Sequence, residues 1–283
     1  MTGGTPPAPP FAIGLSPLGD RPWLVADERL PAYLAEKARL MAAMPDRVFM
    51  AEPETQEAQR ETLQRVADWQ AAHHRRHFAG EPVRLTARDA PGPNPAAPPL
   101  ARAAMLCAED LVLMRKGADG WRLAAASLCF PSSWRLAEKF GRPMEAIHAP
   151  VPGYPAGTRN AMLVNRIFDN LAPGAPVLRG NWSIYGDDAL HHPASEGEST
   201  RAFSPDSPVV AQAFFRSERQ TLLKLPQSGD ILFTIRIGVE PLTQTRARGD
   251  GPALADALDA MTPEERAYKG LAAEAERLIS ELR

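Results

Sequence analysis

Apolar and charged positions alternate at helical spacing from Leu30 to Met44, and Pro45 ends the pattern, which predicts a helix. Thr55 to Phe78 predicts a longer one, with Leu63, Val66, Trp69 and Gln70 along one side. The period then changes. Asp110–Arg115 and Trp121–Leu128 are strand-like, and Gly117-Ala118-Asp119-Gly120 between them predicts a hairpin. Ser133–Phe140 predicts a short helix capped by Ser132 or Ser133. Tyr154–Leu171 predicts a longer helix, with Met162, Val164, Ile167, Phe168 and Leu171 apolar. Val177–Tyr185 reads as a strand, and a polar loop follows from Gly186 to Pro208. Gln212–Leu225 and Ile231–Gly238 predict two more strands, joined by the turn Pro226–Asp230. The tail is helical: Thr262-Pro263-Glu264-Glu265 joins a capping box to a proline at the first helical position.

A hairpin, short helices and then three strands point to an α+β fold. The expected architecture is an antiparallel sheet with helices packed on one face, plus an N-terminal helical region and a C-terminal helix. A pocket is expected between the concave face of the sheet and those helices. The Pro- and Gly-rich residues 1–22 predict an irregular arm. Residues 89–99 hold so many prolines that regular structure is excluded there, which makes them the best linker in the chain. The division that follows is 1–100 (arm and helices), 101–241 (sheet core) and 242–283 (helical tail). No internal repeat is present.

Composition narrows the function. The 283 residues are 44% hydrophobic and 23% charged, ordinary values for a globular chain able to bury a core. A net charge of -2 and a pI near 6.3 argue against nucleic acid as a main partner. No long uncharged apolar run predicts a membrane span, and Met1–Pro7 lacks the basic start and apolar stretch of a signal peptide. A cytoplasmic location is the resulting expectation. The two cysteines, Cys107 and Cys129, lie in apolar runs and read as buried small hydrophobes. They are too few for a four-cysteine iron–sulfur or zinc site, and neither stands in a Cys-x-x-Cys-His pattern for covalent haem.

The candidate chemistry centres on His148, in the run Glu145-Ala146-Ile147-His148-Ala149-Pro150-Val151-Pro152-Gly153. Two prolines stiffen the chain behind the imidazole, so its direction is set before a metal or haem arrives. The alternative is a partly buried histidine that merely ends a helix. His73 and His77 stand one helical turn apart, but Arg75 and Arg76 would repel a cation. His191-His192, near Asp187 and Asp188, is a metal site on paper that lacks an anchored third ligand. No Gly-rich dinucleotide or phosphate loop and no Gly-x-Ser-x-Gly elbow is present, so the chain brings no nicotinamide or flavin Rossmann site and does not read as a hydrolase. In the strand Phe215–Leu222, Arg219 and Thr221 share one face and Glu218 and Gln220 the other; a charge facing the core needs a partner or a ligand. An edge strand wet on both sides is the competing reading. Arg179-Gly180-Asn181-Trp182-Ser183 is a second polar interruption of a strand, in which Arg179 and Asn181 line a pocket or bridge backbone, and Trp182 is core or a stacking platform.

Taken with Phe233-Thr234-Ile235-Arg236, these segments resemble the haem-dependent oxidative N-demethylase family, over about Phe11 to Pro241, with the tail beyond only loosely matched. The resemblance implies a PAS-like sheet and helices holding haem b non-covalently. It implies a proximal histidine, mapped onto His148, which is also the metal ligand. It implies a polar distal pocket with an arginine, mapped onto Arg219 as the donor to charge developing on dioxygen; in the mechanism this suggests, Glu218, Asn181 or a backbone carbonyl holds the amine. Arg179 and Trp182 are the candidate further contacts to the cofactor. The implied activity is monooxygenation of a small secondary amine such as dimethylamine, giving methylamine and formaldehyde. NADPH, FMN, an iron–sulfur cluster and tetrahydrofolate belong in that system to partner subunits, including the reductase. The competing class is a non-catalytic haem or gas sensor on a PAS-like fold; a third is a chain that kept the fold and lost haem.

Overall fold

The computed structural model describes residue 11 and residues 13–80, 85–193 and 203–283. The arm contributes one short strand, β1 (Ser16–Pro17). Helix α1 (Leu30–Ala43) begins on a proline at its first turn and ends before Pro45, as the sequence pattern requires. A single turn, α2 (Pro45–Val48), leads into β2 (Phe49–Ala51). Helix α3 (Gln56–His73) buries Ala58, Thr62, Val66 and Gln70. It stops short of Phe78, which opens a two-stranded ribbon of β3 (Phe78–Ala79) and β4 (Thr86–Ala87). The proline-rich stretch leads into α4 (Pro99–Ala104).

The hairpin forms as expected from β5 (Asp110–Gly117) and β6 (Gly120–Ser127), with Gly120 at φ +94°, a conformation a side chain would strain. Next come α5 (Leu136–Lys139), α6 (Met144–His148) and α7 (Arg159–Asn170). Two expectations change here. Ser132 and Ser133 do not cap α5, which begins after Arg135. Their hydroxyls are taken up elsewhere, by Arg216 and Tyr185. Helix α7 starts five residues later than Tyr154, because Pro155 and Gly157 (φ +81°) hold the chain in turns until Thr158 caps the helix through Ala161 N.

Strands β7 (Val177–Tyr185), β8 (Phe214–Lys224, after the short helix α8, Val209–Gln212) and β9 (Ile231–Pro241) complete the sheet. Its order is β1-β7-β8-β9-β5-β6-β2, and every pairing is antiparallel. The tail folds as α9 (Leu242–Ala247), α10 (Gly251–Asp259), α11 (Pro263–Tyr268) and α12 (Ala275–Leu282). The capping box forms, with Thr262 and Glu265 satisfying one another's backbone N–H groups.

The expected cover of one face becomes cover of both. Val112, Met114, Phe233 and Ile235 face a cavity on one side, while Leu111, Leu113 and Thr234 face the other way and are fully buried. There Arg236 binds the Val25 carbonyl and Asp27 of the segment before α1. At the β7–β8 end, Trp182 and Ile184 share a core with Leu254, Leu258 and Ile279 of the tail. The larger core takes Trp23, Leu34 and Val66 from before residues 89–99 and Leu100, Leu113 and Leu232 from after them. Apolar burial of this kind is worth about 2 kcal/mol for each enclosed leucine.

Buried charges brace the sheet's ends. Arg216 on β8 is 1% exposed, and its guanidinium donates to Ser132 Oγ and to the carbonyls of Phe130, Pro131, Ala189 and Leu190. It thus ties the chain after β6 to the loop after β7. Lys37 is fully buried in α1 and donates to the carbonyls of Ala104, Cys107 and Glu109, which spreads its charge over three dipoles.

Candidate functional site

Strand alternation decides which polar residues meet. On β7, Arg179, Asn181, Ser183 and Tyr185 point one way; on β8, Glu218, Gln220 and Leu222 do so. The antiparallel register sets Asn181 opposite Glu218 and Arg179 opposite Gln220. Those side chains form one wall of a cavity of about 260 Å³ that is partly open at its mouth. Helices α6 and α7 form the facing wall with Ile147, His148, Val164 and Ile167, and Phe11, Ile13 and Leu15 of the arm cross its edge.

His148 is the last residue of α6. Pro143 starts that helix, and a bridge from Pro143 to Arg122 fastens it to β6. Beyond the histidine, Val151 N donates to its carbonyl, so the proline-bearing turn is closed by a hydrogen bond. The ring lies 5.8 Å from the ring of Tyr154, which is itself held to the Phe11 carbonyl through its hydroxyl. Burial first, then the charges of Lys139 and Arg179, lower the His148 pKa from 6.5 to about 4. The imidazole is therefore neutral near pH 7, with a nitrogen lone pair to offer.

The polar wall is organised around Glu218. Asn181 Nδ2 donates to its Oε2 at 3.3 Å and Gln220 Nε2 donates to the same oxygen at 2.6 Å. Burial pulls the Arg179 pKa down, against the opposing pull of Tyr154 and Glu218, yet a guanidinium stays charged. Lys139 lies over the Trp134 ring at 4.4 Å, and both line the cavity. At the other end Ser133 and Tyr185 share a hydrogen bond of 2.8 Å. Ser133 holds φ +63°, uncommon for a residue other than glycine, at the cavity wall. The His192 ring lies tilted against that of Tyr185, 4.5 Å between centroids, and binds Asp187 at 2.8 Å.

These residues suit a flat, largely apolar cofactor with a charged edge. The walls are mostly apolar, one neutral imidazole enters from the helices, and two cationic side chains, Arg179 and Lys139, stand within reach of His148. That donor set fits haem: one nitrogen for iron and cations for carboxylates. A model of the haem-dependent oxidative N-demethylase, alpha subunit-like family matches residues 14–279. The chain belongs to this family. No curated protein matches it. The family match runs through the tail to within α12, so the likeness does not fade at Pro241.

His148, Arg179, Asn181 and Glu218 are brought together around the cavity. Arg219 and Trp182 are not. Arg219 is on the opposite face of β8, where its guanidinium donates to the carbonyls of Pro22 and Trp23. Trp182 faces away on β7, stacked with Phe215 at 6.0 Å in the tail-side core. Period two separates both from their neighbours Glu218 and Asn181. Glu218 and Gln220, on one face of β8 as the alternation requires, both line the cavity. Tyr154, Tyr185, Lys139 and Lys269 went unmarked; they arrive from distant segments with no local motif.

The other histidines have ordinary partners. His73 stacks on Trp69 and binds its carbonyl; His77 accepts from Arg76; His191 donates from Nδ1 to the Cys129 carbonyl. Among the described residues, no group of three or more His, Cys, Asp or Glu side chains is placed to hold a metal ion. Cys107 and Cys129 are buried, and burial pushes the Cys107 thiol up to about 12. Among the described residues no helix is long and apolar enough to cross a membrane.

Proposed function

We propose that this chain is a haem-dependent oxidative N-demethylase that acts as a monooxygenase on a small secondary amine of the dimethylamine kind. One observation carries the reading: in a chain of this family, the cavity wall presents a single imidazole that its surroundings keep neutral. His148 would hold haem b iron, with Arg179 and Lys139 facing its carboxylates. Bound haem supplies the redox activation of dioxygen, since the side chains themselves offer no such chemistry. In net terms an N-methyl group, dioxygen, two electrons and two protons give an N-hydroxymethyl amine and water. The hydroxymethyl amine then splits into formaldehyde and the shorter amine.

The chain's own contribution is orientation and polarity. Glu218, fixed through Oε2, offers its second oxygen to the amine N–H, and Asn181 flanks it. The apolar lining excludes water around the N-methyl group. In this reading electrons come from a reductase partner that draws on NADPH, flavin and an iron–sulfur cluster, which is supported by the burial of both thiols of this chain.

The test is formaldehyde release from dimethylamine by haem-loaded protein supplied with NADPH and a reductase. Amine-dependent formaldehyde supports the proposal. Haem binding and gas binding without formaldehyde would replace it with a sensor.

A further inference from the structure

The tail after β9 reaches into the cavity. Lys269 directly follows α11, is 6% exposed, and lines the cavity beside Tyr268. Its ammonium donates to the Trp182 carbonyl at 2.5 Å and to Asn181 Oδ1 at 3.3 Å. The second bond matters chemically. An amide has one accepting and one donating end, so a cation on Oδ1 fixes which end of Asn181 remains. The remaining end, Nδ2, donates to Glu218 Oε2. Gln220 Nε2 meets the same oxygen from the other side. The result is a continuous run: Lys269 to Asn181, Asn181 to Glu218, with Gln220 closing it. The two amide donors occupy Oε2 and leave Oε1 as the remaining acceptor of Glu218.

We propose that Lys269 is a positioning residue for amine recognition: it sets the Asn181 amide so that Glu218 presents one defined oxygen to the substrate N–H. This rests on the N-demethylase reading above. It also gives the tail a function, because the amine site would be incomplete without a residue that lies outside the sheet. In the proposal the lysine acts on the amine through the amide, so its loss is expected to alter amine affinity and to leave haem uptake alone.

The experiment is a spectroscopic titration of haem-loaded full-length protein with dimethylamine, for wild type, Lys269→Met and Lys269→Arg. Loss of a charge-assisted hydrogen bond is expected to weaken amine binding by about tenfold in Lys269→Met. Lys269→Arg, which keeps a donor, should recover part of it, and the haem absorption band should be the same in all three. In a double-mutant cycle with Asn181→Leu, adding Lys269→Met should cost nothing further, since the lysine acts through that amide. Unchanged affinity in a folded Lys269→Met protein, or additive losses in the cycle, overturns the proposal while leaving the N-demethylase reading in place. If Lys269→Met does not fold, Lys269→Gln replaces it in the same titration and cycle: weaker amine binding that vanishes in the Asn181→Leu background supports the proposal, and wild-type affinity or additive losses overturn it. Wild-type protein that takes up haem but shows no response to amine overturns both.

Discussion

Lowering the pH should cost this protein stability through His148, and the amount follows from its surroundings. Burial beside Lys139 and Arg179 lowers the folded-state pKa from 6.5 to about 4. Between those values the unfolded chain binds a proton that the folded chain does not, so stability falls as pH drops through 6.5 and levels off below about 4. At 1.36 kcal/mol per unit of pKa, the full interval is worth about 3 kcal/mol. The part lost between pH 7 and pH 5 is about 2 kcal/mol, trimmed towards about 1 kcal/mol by the ring's residual contact with solvent. The assay is urea unfolding of haem-free protein at both pH values, for wild type and His148→Phe. Other titrating groups are common to the two proteins, so the difference between them isolates the imidazole. Wild type should lose about 1 to 2 kcal/mol more than the variant on acidification. Parallel losses would show that the folded protein accepts the proton readily, and the neutral imidazole on which the proposed haem ligation depends would be refuted.

Arg216→Met leaves the carbonyls of Phe130, Pro131, Ala189 and Leu190 without their buried donor; thermal or urea unfolding should register a loss of about 3 kcal/mol. Arg219→Gln should lower stability by about 1 kcal/mol through the lost Pro22 and Trp23 contacts, while dimethylamine affinity stays at the wild-type value in the same titration. Neither thiol should react with a disulfide reagent in the native protein at pH 8, because Cys107 and Cys129 are buried and their pKa values are raised; both should react promptly in urea.

Much of the fold was readable from short-range pattern. The period-two runs at 110–128 and 177–185 became strands with nearly the expected ends, and the 262–265 box capped the helix it announced. What the pattern left open was sidedness. A strand's alternation says that Glu218 and Arg219 point apart, but only the covering elements decide which one meets the cavity. Here the arm segment Pro22–Trp23 covers the Arg219 side, and α6 and α7 cover the Glu218 side. Expecting helices on one face concealed this, since it left the second face to solvent. Ser133 could not be placed from sequence either: its φ of +63° serves a hydrogen bond to Tyr185, 52 residues away. Lys269 lay hidden for a similar reason, in a tail whose contacts with β7 no local signal announces.

The central claim is that His148 holds haem in this cavity. It is tested by reconstituting wild type and His148→Ala with haemin, reducing both and recording the Soret band alongside a folding check by circular dichroism. The account predicts a stoichiometric, saturable band in wild type and its loss or marked shift in folded His148→Ala. An unchanged band in the folded variant would contradict it.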